Sequence, residues 1–191
     1  RLIVLYFFHD DKMDNEWGVL LNNLIKFKSY SFFTHENLLI PSVLVPPLYV
    51  YFLYCIKILT VEKINFVHSL IFIQIILSTI SVYLFYKINQ RFFSDRICLI
   101  NSLIFSLFPL NIYAAGQISS VTLQIFLSLL FLLSVFNLSE AKTKKNFLIF
   151  SLISGLSILA RGEFIFIYVI TLMYFLLKNK IRVVYLVITI L

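Results

Sequence analysis

The sequence predicts an all-α protein: a polytopic transmembrane helical bundle with interfacial helices in a large first outer loop. Two observations lead to this prediction. The chain of 191 residues is 61% hydrophobic and only 13% charged, which is far from the composition of a water-soluble domain. Its apolar residues also fall into runs long enough to enter or cross a bilayer. We therefore expect one membrane domain, in an integral membrane protein.

The placement of charge predicts the topology. Positive residues concentrate in three connectors between apolar runs, "KINQRFFSDR", "SEAKTKKN" and "KNKIR", and these connectors account for the formal net charge of +7. Cytoplasmic loops of membrane proteins are rich in Lys and Arg. We therefore place the connectors on the cytoplasmic side, expect the bilayer to be a partner and exclude nucleic acid as one.

Each membrane crossing takes the chain to the opposite side, so the alternation of crossings assigns every segment to a side. We expect residues 1–8 to end a first transmembrane helix, residues 9–65 to form the outer loop, and residues 66–191 to hold about six transmembrane helices, the last one truncated. The apolar runs behind this expectation are 66–86, 97–113, 118–138, 147–160, 164–177 and 183–191.

Two shorter segments should face the outer side. One helix over residues 147–177 would measure roughly 46 Å, more than a hydrocarbon core of about 30 Å. We therefore expect "LARGEF", residues 159–164, to break that stretch near the outer surface. By the same alternation of crossings, "YAAGQISS", residues 113–120, is predicted to form a second outer loop.

The first outer loop should contain two helices. Apolar residues recur there at helical spacing: Trp17, Leu20, Leu21, Leu24 and Phe27. This pattern predicts an amphipathic helix at the membrane interface that begins at Asp14. Pro46 and Pro47 suit the start of a second helix. The apolar run from there to residue 59 is about 21 Å long, so we expect an interfacial or shallow re-entrant helix.

The polar window "HDDKMDNEW" holds four of the nine acidic residues. Asp10 and Asp11 are interpreted as solvated loop charges. Asp14 is either the cap of the predicted helix or a catalytic base, and both roles can coexist. Glu16 is favoured in the first turn either by the helix dipole alone or because it takes part in catalysis.

Arg161 and Glu163 are the ionisable residues of an otherwise apolar stretch. Charges at such positions usually face a cavity or a partner. An anionic, lipid-borne substrate would use Arg161 for its phosphate and a nearby carboxylate as a base. The alternative is a salt bridge that ends two helices. The residues alone leave the function open.

No metal or redox site is predicted. Cys55 and Cys98 stand singly in apolar runs and are expected to be inert core residues. His9, His35 and His68 show no ligand spacing.

Four segments resemble the GT-C class of polytopic glycosyltransferases. They are "DNEWGVLLNNLIKFKSYSF", "PPLYVYFL", "LFPLNIYAAGQISSVTL" and "SGLSILARGEFIFI". Their order is similar to that in the branch of protein O-mannosyltransferases and the bacterial aminoarabinose transferase of lipid A. In that branch an Asp, a Glu, an aromatic residue and a Tyr-Ser pair recur in the first outer loop. Here they would be Asp14, Glu16, Trp17 and the pair Tyr30-Ser31.

The resemblance implies inverting transfer of a sugar from a polyprenyl-phosphate donor to a lipid, glycan or protein acceptor on the non-cytoplasmic face, in a bacterial inner membrane. It makes Asp14 the general base with Glu16 beside it. The substrate-binding residues would be Tyr49, Gln117, Arg161 and Glu163. Many relatives carry an acid where this chain has Val121. A divalent metal ion is therefore doubtful, and we expect no cofactor.

Two other classes stay open at this stage. A flippase or transporter for a lipid-linked carrier would favour broken helices with charges at the bilayer midplane, whereas the ionisable residues here gather at one face. A scaffold subunit would need no carboxylate. A membrane glycosyltransferase is the function that the sequence favours.

Overall fold

The computed structural model describes residues 10, 12–35, 38–41, 45–60 and 65–177. The elements in chain order are α1 (Glu16–Phe27), β1 (Ser31–His35), β2 (Leu38–Pro41), α2 (Pro47–Leu59), α3 (Phe66–Asn89), α4 (Asp95–Leu107), α5 (Pro109–Gly116), α6 (Val121–Glu140), α7 (Lys144–Ala160) and α8 (Phe164–Leu177). The helices confirm the all-α prediction. The expected end of a first helix at 1–8, the residues His9 and Asp11, and the apolar run from 183 lie outside the described residues.

Helix α1 is the predicted amphipathic helix, but its cap is Asn15 rather than Asp14. The Asn15 side chain accepts a hydrogen bond from the backbone N–H of Gly18 over 3.3 Å. Asn caps a helix as well as Asp does, so sequence alone did not separate these two neighbours. The helix buries Leu20 and Leu21, while Phe27 at its far end is exposed.

Strands β1 and β2 form an antiparallel hairpin that the sequence pattern did not predict. The segment is rich in Phe, Leu, Ile and Thr, most of which favour strands. The amide of Asn23 in α1 donates to the carbonyl of Ser31 over 2.9 Å, and the Tyr30 hydroxyl donates to the carbonyl of Val45 over 2.8 Å. These bonds tie the start of the hairpin to α1 and to the residue just before α2.

Helix α2 has the predicted start, with Pro46 as its cap and Pro47 as its first residue. Its 13 residues measure roughly 20 Å, too short to cross a hydrocarbon core. One face is buried through Tyr49, Val50, Leu53 and Ile56. Cys55 lies on the opposite side and is exposed, so its predicted place in the core is wrong; Cys98 is buried as predicted.

Among the described residues, α3 and α6 are each long and apolar enough to cross a membrane, and α4 with α5 would make a third, bent span. The bend is 49° and falls at Pro109, whose ring cannot continue a helix from the preceding turn. Because of this bend, the predicted run 97–113 is two helices. Residues 113–116 belong to α5, so the loop predicted at 113–120 is shorter and covers 117–120.

The break predicted within residues 159–164 is present between α7 and α8. Whether α7 and α8 each cross the membrane, and how many spans the chain has in all, stays a prediction.

The bundle has two ends. We call the end with residues 10, 12–16, 117–120 and 161–163 the loop end, and the end with residues 90–94 and 141–143 the connector end. Arg91 at the connector end pairs with Glu140 and donates to the side chain of Asn137 over 2.5 Å. Helix α3, with its 24 residues, separates the ends by roughly 36 Å. The described basic connectors thus lie opposite the polar loops.

Candidate functional site

A single hydrophobic cluster at the loop end joins the segments that carry the predicted site residues. We call it the loop-end cluster. Its members include Met13 and Trp17, Tyr49, Ile118 and Ala160. Met13 and Trp17 flank Asp14 and Glu16, Ile118 follows Gln117, and Ala160 precedes Arg161. Four segments that are distant in sequence therefore meet at one end of the bundle.

Asp10 joins the first outer loop to the loop at 117–120. Its backbone N–H donates to the carbonyl of Gly116 over 3.1 Å, and its carboxylate accepts the backbone N–H of Ile118 over 2.8 Å. The side chain is half-buried. The interpretation of Asp10 as a solvated loop charge is therefore wrong, since the carboxylate satisfies a backbone donor of another segment.

Asn15 binds the other backbone polar group of Ile118, its carbonyl. Its side-chain amide donates to the carbonyl of Ile118 over 2.9 Å while its oxygen caps α1. Both the N–H and the C=O of Ile118 are thus bound by side chains of the first outer loop. The Ile118 side chain is only 2% exposed. We call this arrangement of Asp10, Asn15 and Ile118 the loop clasp.

Tyr49 and Gln74 form a buried polar pair beside the loop clasp. The Gln74 amide donates to the Tyr49 hydroxyl over 3.1 Å and to the carbonyl of Ser119 over 3.3 Å. Trp17 packs edge-on against the Tyr49 ring, with centroids 4.8 Å apart. Burial and, to a smaller extent, the charge of Asp10 raise the pKa of the Tyr49 phenol, and the hydrogen bond from Gln74 partly offsets this rise. Tyr49 therefore stays protonated and can donate a hydrogen bond.

Gln74 did not figure among the predicted site residues. It is 1% exposed, and a buried amide inside an apolar helix is costly unless it is bonded. The signal in the sequence was a single Gln within the run 66–86, flanked by Ile on both sides. Its partners come from α2 and from the loop before α6, so the sequence could not name them.

Asp14 and Glu16 are exposed at the start of α1. Gly18 shapes the turn that carries them, because a Cβ atom there would lie 2.3 Å from the carbonyl oxygen of Met13. The turn can fold back on α1 only where residue 18 has no side chain. The two carboxylates are accessible to a ligand, and Glu16 also suits the positive end of the helix dipole.

Arg161 and Glu163 lie in the break between α7 and α8. Arg161 is half-buried and ends α7, with its backbone N–H donating to the carbonyl of Ser157 over 3.0 Å. Glu163 is exposed. Within the described part of the chain, an ion pair is present only between Arg91 and Glu140. The alternative in which Arg161 and Glu163 bind each other is therefore not observed.

Gln117 lies between the two residues that Asp10 binds, and Val121 is the first residue of α6. The position at which the resemblance led us to expect an acid therefore opens a helix beside the loop clasp. Among the described residues, no group of three or more His, Cys, Asp or Glu side chains could hold a metal ion.

The family model of the dolichyl-phosphate-mannose-protein mannosyltransferases matches residues 44–191. The match covers α2 through α8 and leaves out the window that holds Asp14 and Glu16. No curated protein and no solved structure matches the chain. The match agrees with the resemblance drawn from the sequence motifs and with the apolar helices of an integral membrane protein. The chain belongs to the dolichyl-phosphate-mannose-protein mannosyltransferase family and is a membrane glycosyltransferase of the GT-C type.

Proposed function

We propose that the protein transfers a sugar from a polyprenyl-phosphate donor to an acceptor at the non-cytoplasmic face of a bacterial inner membrane. Asp14 is the general base in this proposal and Arg161 binds the donor phosphate. Glu16, Glu163 and Gln117 line the substrate site, whereas Tyr49 is fully buried and supports the site through its hydrogen bond with Gln74. The acceptor is a lipid, a glycan or a protein.

The loop-end cluster is the observation that carries the proposal. It brings the turn with Asp14, the ring of Tyr49, the loop with Gln117 and the break with Arg161 to one end of the bundle. A transferase needs its base and its phosphate-binding group on the same side of the membrane, because the acceptor oxygen, the anomeric carbon and the phosphate must lie in line.

The proposed chemistry is a single displacement. The acceptor hydroxyl gives its proton to the Asp14 carboxylate while its oxygen bonds to the anomeric carbon. The bond from that carbon to the phosphate oxygen breaks, the electron pair leaves with the polyprenyl phosphate, and the configuration inverts. Arg161 is suited to the leaving group because a guanidinium donates two parallel hydrogen bonds to a phosphate.

The distribution of charge supports the choice of face. The basic residues of the described connectors, among them Lys87, Arg91, Arg96 and Lys142, lie at the connector end. By the positive-inside rule this end is cytoplasmic, so the loop end is non-cytoplasmic.

The choice of face is tested with Lys142→Cys and Gly162→Cys in a background that lacks Cys55 and Cys98. An impermeant thiol reagent added from the non-cytoplasmic side should label Gly162→Cys alone. Labelling of Lys142→Cys instead would reverse the topology.

The activity is tested with the full-length protein in liposomes. The vesicles receive either a polyprenyl-phosphate sugar or the matching nucleotide sugar, together with a lipid or peptide acceptor. The proposal expects release of free polyprenyl phosphate and a glycosylated acceptor from the lipid donor only. Movement of the lipid donor between leaflets with no release of polyprenyl phosphate would favour the flippase instead.

A further inference from the structure

A small cavity lies inside the bundle where α3, the bend between α4 and α5, and the start of α6 meet. Its volume of about 10 Å³ is enough to hold a water molecule. Its lining is Ser78, Ser81, Phe105, Asn111, Thr122 and Ile125. Four of these six side chains are polar, although the surrounding helices are apolar.

Thr122 has an unusual environment for a helical hydroxyl. Such hydroxyls usually donate to the carbonyl three or four residues back, and several in this bundle do so, including Thr79, Ser81, Ser128, Ser151, Ser154, Ser157 and Thr171. Thr122 lies in the first turn of α6, and the corresponding carbonyls belong to the loop. They accept instead from Gln74, at Ser119, and from Asn15, at Ile118.

The Thr122 hydroxyl has no hydrogen-bond partner among the described residues, although the residue is only 3% exposed. Burial of such a group is unfavourable unless a partner is supplied. The cavity that it lines has room for a water molecule as such a partner.

The remaining polar groups of the cavity can complete the bonding of a water molecule. Ser81 uses its hydrogen on the carbonyl of Leu77 over 2.8 Å, which leaves its oxygen as an acceptor. Asn111 directs its amide N–H to the carbonyl of Phe105 over 3.4 Å. In a regular helix this carbonyl would accept the N–H of residue 109, but Pro109 has no N–H. The amide oxygen of Asn111 is a second acceptor.

We propose that this cavity binds one ordered water molecule. The water accepts the hydrogen of the Thr122 hydroxyl and donates its own two hydrogens to the oxygens of Ser81 and Asn111. It thereby joins α3, the proline bend and α6 just below the loop at 117–120. Proline-bent membrane helices are commonly completed by side chains and ordered waters in this way. The water site stands independently of the assignment of Asp14 as the base.

Radiolytic hydroxyl labelling tests the site in the full-length protein embedded in nanodiscs. X-ray pulses generate hydroxyl radicals from water, and a bound water marks the apolar side chains that touch it. Ile125 lines the cavity, whereas Leu127 on the same helix does not. We expect Ile125 to be oxidised several-fold faster than Leu127. Thr122→Val has nearly the same shape but lacks the hydroxyl, so it should reduce the excess oxidation of Ile125 over Leu127.

Thr79→Val is the matched control, because that hydroxyl already bonds to its own helix and is exposed; it should leave the labelling of Ile125 unchanged. A cryo-EM map that resolves waters provides a second readout without any substitution. Density within hydrogen-bond distance of Thr122 Oγ1 supports the site. An empty cavity in that map, or equal labelling of Ile125 and Leu127 in the unsubstituted protein, would overturn it.

Discussion

The backbone N–H of Ile118 donates to the carboxylate of Asp10 over 2.8 Å, across 108 positions of sequence. The bond fixes the first outer loop to the loop before α6. Asn15 binds the carbonyl of the same residue and also caps the helix that follows Asp14. The position of the proposed base therefore depends on a loop that lies more than a hundred residues further along the chain.

Removal of the Asp10 carboxylate should release Ile118. In Asp10→Ala the Ile118 N–H loses its charged acceptor, which should cost about 1–3 kcal/mol of stability. In Asp10→Asn an acceptor oxygen remains, so most of that stability should be kept. Amide hydrogen exchange at Ile118 measures the difference directly. Equally slow exchange in Asp10→Ala and in the unsubstituted protein would show that this bond does not hold the loop.

Asn15 performs two tasks that substitution can separate. Asn15→Asp keeps an oxygen to cap α1 but has no N–H for the carbonyl of Ile118. Asn15→Ala loses both interactions, and the lost cap alone should cost about 1 kcal/mol. The Gly18 N–H also donates to the backbone carbonyl of Asn15 over 3.0 Å, a bond that both variants keep. We therefore expect the Gly18 amide to keep its full protection from hydrogen exchange in Asn15→Asp and to lose part of it in Asn15→Ala. Sugar transfer should fall in both variants. Full transfer in Asn15→Asp would mean that the bond to Ile118 does not position the site.

Gly18 offers a direct test of the turn that carries Asp14. In Gly18→Ala the new Cβ atom would overlap the Met13 carbonyl oxygen, so the turn must move, and both thermal stability and sugar transfer should fall. Gly155→Ala is the matched control, because a Cβ atom there meets nothing within 4 Å. Since Ala favours a helix by up to about 1 kcal/mol over Gly, that control should be neutral or stabilising. Similar behaviour of the two variants would argue against a special role for Gly18.

Local rules predicted the features that depend on neighbouring residues. Pro46 and Pro47 predicted the start of α2, and the helical spacing of apolar residues predicted α1. The length of the apolar run 147–177 predicted the break between α7 and α8. The first two follow from the immediate sequence, because helix starts and helical periodicity act within a few residues. The break follows from the length of one continuous apolar run measured against the thickness of the bilayer.

The features that the sequence missed depend on distant partners. Asp10 was interpreted as a solvated charge because the donor that it binds belongs to Ile118. Gln74 was not singled out within its apolar run because its partners lie on other segments. Asn15 and Asp14 are equivalent caps in isolation; the additional bond to Ile118 uses an N–H that only Asn possesses. The hairpin was missed because its strands are short and hold each other by pairing.

The Tyr-Ser pair also has a structural role. The Tyr30 ring stacks on Tyr51 with centroids 6.3 Å apart, and burial together with that neighbour raises the pKa of the Tyr30 phenol to about 12. Its hydroxyl stays protonated and holds Val45 ahead of α2. The motif that resembles the family therefore positions the outer loop through a hydrogen bond.

In the proposed mechanism Asp14 acts on the acceptor while Arg161 binds the donor, and one pair of variants separates these two roles. Transfer from a polyprenyl-phosphate sugar and binding of that donor are measured for the full-length protein, Asp14→Asn, Arg161→Gln and the exposed control Asp95→Asn. Asp14→Asn should lower kcat by about 10²- to 10⁴-fold with donor binding retained. Arg161→Gln should mainly weaken donor binding, and Asp95→Asn should behave as the unsubstituted protein. Unchanged transfer by Asp14→Asn would contradict the account.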